Sequence, residues 1–77
     1  MKNMQYKYPN KLKELRIKRN LKQKEVAALL GFKSDDRICR WEKGQALPSL
    51  YNIIKLSQLF NVKVEELYLK MEQAKKS

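Results

Sequence analysis

The stretch from Gln23 to Gly44, QKEVAALLGFKSDDRICRWEKG, constrains this chain more than any other, because it carries two helical stripes with room for only a tight turn between them. In the first, Val26, Ala27 and Leu30 fall at i, i+1 and i+4, one face of a helix from Gln23 to Leu30. Gly31 ends it, since the residue past a helix C-terminus is often left-handed and glycine adopts that conformation without a Cβ clash. Ser34 is the expected N-cap of the second helix, and Asp35 and Asp36 suit the positive end of its dipole. Ile38 and Trp41, three apart, make the inward stripe of that helix and leave Arg37, Cys39, Arg40 and Lys43 to face elsewhere. Ala27 is small where two helices crossing steeply must approach closely.

The flanking sequence adds three more helices. Asn10, after Pro9, is the expected N-cap of a first helix running to about Arg19, with Leu12 and Leu15 inward and Lys11, Lys13 and Lys18 outside. Asn20 and Leu21 connect it to the second helix, whose start carries Lys22, a side chain unable to cap. After the loop QALP, Ser49 is the expected N-cap of a fourth helix from Leu50 to about Phe60. Its apolar residues cover so much of the circumference that it should be central to the core. Asn61 is expected to take the left-handed position after that helix. Val64, Leu67, Tyr68 and Met71 recur at i, i+3, i+4 and i+7, the stripe of a fifth helix, with Glu65 and Glu66 at its start. The expected organisation is an N-terminal arm over residues 1–9, one all-α domain over 10–71 and a tail over 72–77. Leu15, Ala27, Leu30, Ile38, Trp41, Ile53, Leu56 and Leu67 share its core.

Composition excludes several functions. One cysteine and no histidine rule out a disulfide framework and make a His or Cys metal cluster untenable, and a reducing cytoplasm is the natural compartment. Two glycines provide no phosphate-cradling loop, and no nucleophile stands with a base, so neither an enzyme nor a cofactor or small-molecule site is expected. Residues 1–9 lack the apolar run of a signal peptide, and no run of about 18 apolar residues offers a membrane span. The formal net charge is +10, and its excess lies early: residues 1–33 hold ten basic and two acidic side chains, residues 34–77 eight and six. Such a bias suits a polyanion partner, whose counterions a basic surface releases, although lysines also simply keep small proteins in solution.

Leu21, Gln23, Glu25, Ala27, Leu30, Gly31, Ile38, Arg40, Trp41, Glu42 and Gly44, then Pro48, Ser49 and Leu50, resemble the lambda-repressor-like helix-turn-helix family of phage repressors, Cro proteins and XRE-type regulators. The resemblance covers roughly Lys11 to Tyr68, with one departure: this chain has one residue more between the glycine and the inward isoleucine, at Phe32 or Lys33. It implies a compact five-helix domain. It further implies a double-stranded DNA-binding transcriptional regulator, as a repressor, whose third helix, about Asp35 to Lys43, enters the major groove. By the same resemblance Asp35, Asp36, Arg37 and Arg40 lie near base edges, Gln23, Lys33 and Lys43 near phosphates, and Arg16 pairs with Glu42. The aspartates select cytosine or the helix docks differently. A homodimer, at least on DNA, is expected through Leu69 and Met71. The rival reading is an antitoxin-like or accessory interaction module that uses the fold for assembly. RNA binding lacks the exposed aromatics of a strand platform.

Overall fold

The computed structural model describes residues 8–68. Helices α1 (Leu12–Lys18), α2 (Gln23–Leu29), α3 (Asp36–Glu42) and α4 (Leu50–Phe60) are followed by α5, whose described part is 64–68. Among the described residues there is no strand, and no helix is long and apolar enough to cross a membrane.

The first four helices stop in the same way. Asn20, Gly31, Gly44 and Asn61 all have positive φ, from 56° to 86°. In each case that residue's amide donates to the carbonyl three back, and the next amide reaches five back: Leu21 to Arg16, Phe32 to Ala27, Gln45 to Arg40 and Val62 to Ser57. This is the paired C-terminal bond that satisfies carbonyls a helix would otherwise orphan. Glycine and asparagine supply the left-handed residue because other side chains clash there. The motif also favours an apolar residue immediately after the turn, and Leu21, Phe32 and Val62 all pack against the core from that place.

Helix starts differ more from expectation. Asn10 Oδ1 accepts the Leu12 amide, so α1 begins after it, while the Asn10 side-chain amide donates to Tyr8 O and Trp41 O. Tyr8 N–H donates to Gly44 O, and Lys11 N–H to Leu67 O, so the start of α1 is tied to the end of α3 and to α5. The described part of the expected arm, Tyr8 and Pro9, is half-buried, and residues 1–7 lie outside the described range. Ser34 is not the N-cap of α3. That position falls to Asp35 without a side-chain bond, and Ser34 Oγ accepts only the Asp36 amide, at 3.4 Å. In α2 the Glu25 carboxylate accepts the Lys22 amide at 2.7 Å, which relieves an end that the Lys22 ammonium, having no acceptor, cannot serve. Ser49 Oγ accepts the Asn52 amide at the start of α4.

The buried core is Leu12, Val26, Ala27, Ile38, Trp41, Leu56, Phe60 and Leu67. Leu15, Leu30 and Ile53 are only half-buried at its edge, because Leu12, Val26 and Phe60 take the central places on their helices. The expectation that α4 is central all round is corrected. Leu56, Ser57 and Phe60 face in, while Leu50 is 70% and Tyr51 66% exposed, with Leu47 and Ile54 beside them in the exposed set. α4 is thus one-sided, and its outer apolar stripe has no cover among the described residues. Leu69 and Met71, the expected dimer surface, fall outside the described residues.

Trp41→Ala should lower unfolding free energy by about 3 to 5 kcal/mol in urea titrations, a large part of what a small domain has, whereas the half-buried Leu15→Ala should cost clearly less. At α5, burial pushes the Tyr68 hydroxyl from 10.0 up to about 12, and among the described residues it has no hydrogen-bond partner. A phenol with a raised folded value favours the neutral form, so its contribution is whole below about pH 10 and is lost as pH rises through about 12. Wild type should therefore lose more stability than Tyr68→Phe between those values.

Candidate nucleic-acid interface

The orientation of α3 is set at its C-terminal end. Glu42 accepts from Arg16 twice, Nε to Oε2 at 2.6 Å and Nη2 to Oε1 at 3.2 Å, and from Gln23 Nε2 at 2.9 Å. Arg16 Nη1 also donates to Leu21 O at 2.9 Å. The two charged side chains are 12% and 5% exposed, so the pair lies largely out of water. One carboxylate therefore joins α1, α2 and α3. Gln23, at the start of α2, meets the far end of α3. A planar guanidinium suits this place because its fork matches both carboxylate oxygens. Among the described residues Arg16 and Glu42 form the one salt bridge, which leaves the cations of the outer surface without acidic partners.

With Ile38 and Trp41 buried and Glu42 bonded inward, the 3.6-residue repeat turns Asp36, Arg40 and Lys43 to the opposite side, and all three are exposed. Arg37 and the half-buried Cys39 flank that line. Arg37 and Arg40 stand between two shallow grooves. One is lined by Gly31, Phe32, Lys33, Ser34 and Asp36, the other by Ala46, Leu47, Pro48, Ser49 and Asn52. Asp35 is half-buried and borders a third depression with Lys24, Phe32 and Lys33. The structure thus gathers Lys33, Asp36, Arg37 and Arg40 around one groove, with Lys43 a turn further along α3 and Gln23 held inward at Glu42.

Two contributors escaped sequence reasoning. Phe32 closes α2, sets its ring against Trp41 at 5.8 Å and 72°, and carries the Arg37 guanidinium 4.6 Å from its centroid. Lys33, next in the turn, is exposed. The signal was available, since an apolar residue directly after a C-terminal glycine packs back onto its helix. Arg19 is the other: its Nη2 donates to Phe60 O at 2.7 Å, placing a cation at the negative end of α4. Nothing in spacing alone gives that contact.

Two short helices packed across a tight turn, the second rimmed by cations with no acidic partner among the described residues, define a DNA-binding regulatory domain. The comparisons agree and give the family: residues 12–67 match the helix-turn-helix family, and the chain belongs to it, in its lambda-repressor-like, XRE-type branch. An uncharacterized HTH-type transcriptional regulator of Archaeoglobus fulgidus is 36% identical over 59 residues, 77% of this chain and 82% of that protein. The uncharacterized HTH-type transcriptional regulator MJ0272 of Methanocaldococcus jannaschii is 40% identical over 60 residues, 78% and 89% of the two chains. The cryptic phage CTXphi transcriptional repressor RstR of Vibrio cholerae is 33% identical over 60 residues, 78% of this chain and 53% of its own. No solved structure matches the chain.

Glu42→Ala should cost about 3 to 5 kcal/mol, because it strands a buried guanidinium and leaves the Gln23 amide without its acceptor. Replacing both partners by apolar residues, Arg16→Met with Glu42→Leu, should restore most of that loss. Urea unfolding of the three proteins checks both statements.

Proposed function

We propose that this protein is a sequence-specific, double-stranded DNA-binding transcriptional regulator, acting as a repressor, that lays the outer face of α3 in the major groove. The observation that carries this reading is the line Asp36, Arg40 and Lys43 on a helix whose inner face is locked by Ile38, Trp41 and Glu42. Arg40, at the centre of the line, is the main base reader, because its fork can bond O6 and N7 of one guanine. Arg37 reads beside it, and Asp36 accepts from a cytosine amino group. Asp35, half-buried at the turn, contributes at the edge of the same site. Lys33 and Lys43 hold phosphates on either side, and Gln23 meets a phosphate from the start of α2 with what remains of its amide. The protein works in the cytoplasm, without cofactor, metal or catalytic step. It acts as a homodimer on DNA, since one reading helix specifies few base pairs and symmetric half-sites about one helical turn apart double that number.

A second reading is favoured by one observation. The exposed stripe of Leu47, Leu50, Tyr51 and Ile54 is the kind of surface an assembly module offers, as in an antitoxin or accessory subunit. The two readings differ in what salt does to duplex binding.

Selection of bound sites from random duplexes should return a motif with two-fold symmetry. If about six phosphates are neutralised, log affinity should fall against log salt with a slope near 5. Arg40→Lys should cost about 1 to 3 kcal/mol at one base pair and leave random DNA nearly unaffected, whereas Lys43→Ala should weaken all sequences alike. Equal losses on every sequence for Arg40→Lys would make it a phosphate anchor, and no duplex binding at low salt would favour the assembly reading.

A further inference from the structure

We propose that Phe32 is a positioning residue for base reading. Its ring is the platform that holds the Arg37 guanidinium ready at the flank of α3, so the base preference read by Arg37 depends on a side chain that need not touch DNA. The inference rests on the reading of α3 as the helix that meets the major groove.

The platform is fixed on two sides. The Phe32 amide donates to Ala27 O at 2.8 Å, which pins its backbone to the end of α2. Its ring lies edge-to-face with Trp41 at 5.8 Å and 72°, and Trp41 is itself buried in the core. The face left over carries Arg37, with the guanidinium carbon 4.6 Å from the ring centroid, inside the range of a cation–π contact. Arg37 is otherwise an exposed residue on a seven-residue helix. A free arginine there would lose much rotamer freedom on docking, and a stacked one has lost part of it beforehand.

The kind of contact matters as much as its presence. A carboxylate would restrain Arg37 by occupying its N–H groups. A cation–π contact offers the guanidinium N–H groups no acceptor oxygen and leaves them available to a base edge. Phe32, Arg37, Arg40 and Asp36 line one groove, so the held donors lie beside the central reader and not apart from it. The apolar requirement at Phe32 is met by any aliphatic side chain that covers α2. The aromatic requirement comes from Arg37 together with the edge-to-face contact to Trp41.

The test combines NMR of the free 77-residue chain with site selection on random duplexes for wild type, Arg37→Ala, Phe32→Leu and Phe32→Tyr. In wild type the Arg37 δ-protons should be shifted upfield by the ring, an effect kept in Phe32→Tyr and lost in Phe32→Leu. Arg37→Ala should flatten the preference at one base pair. Phe32→Leu should weaken discrimination at that same base pair about two- to fivefold, the range of an exposed cation–π contact, with random-duplex affinity unchanged. Phe32→Tyr should restore it. The proposal is overturned if the wild-type δ-protons show no ring shift, a result that holds even should Phe32→Leu fail to fold. It is equally overturned if Phe32→Leu changes no base preference or lowers affinity for every sequence alike. A wild-type protein that selects no motif would sink the DNA-reading assignment and this inference with it. A selected motif indifferent to Phe32 sinks the inference alone.

Discussion

The fold turns on a carboxylate in an awkward place. Glu42 ends α3, where the helix dipole is negative and an acid is unwelcome, and it is 5% exposed. It is tolerable only because Arg16 brings a full positive charge in bidentate geometry and Gln23 adds a third donor from the start of α2. Such an arrangement contributes less to net stability than it does to geometry, since desolvation offsets much of the attraction. What it gives is a fixed relation among three helices at one point. From that point the rest follows: Ile38 and Trp41 must face the core, and Asp36, Arg40 and Lys43 must face out.

The opposite end of α3 is held by different means. There the turn supplies no side-chain cap at Asp35, and the anchoring comes from Phe32 against Trp41 and from the backbone bonds that end α2. α3 is thus clamped by ion pairing at its C-terminus and by aromatic packing at its start. Lys33, between the two clamps, is exposed.

The helix order was legible in the sequence because apolar spacing at Val26, Leu30, Ile38, Trp41 and Leu67 has one period and because Gly31 and Asn61 mark stops. Less legible were the starts, where a shift of one residue from Ser34 to Asp35 depends on local backbone angles and not on residue type. Which of several apolar residues is central was also hidden. α4 carries apolar groups around most of its girth, and only the packed structure shows that Leu50 and Tyr51 stay outside while Phe60 goes in. For the site, the residue types on α3 could be read from spacing. The stacking of Arg37 on Phe32 and the tie from Arg19 to Phe60 O could not, because both are contacts across a turn or between helices distant in sequence.

The central claim is that α3, held by Glu42 and Trp41, is the surface that meets DNA. It is tested most directly by titrating the isotope-labelled protein with its selected duplex and following backbone and side-chain NMR shifts. The account predicts perturbations concentrated at Lys33, Asp36, Arg37, Arg40 and Lys43, with the Arg16, Glu42 and Trp41 signals little changed. Perturbations centred instead on Leu50, Tyr51 and Ile54, with the outer face of α3 silent, would contradict it.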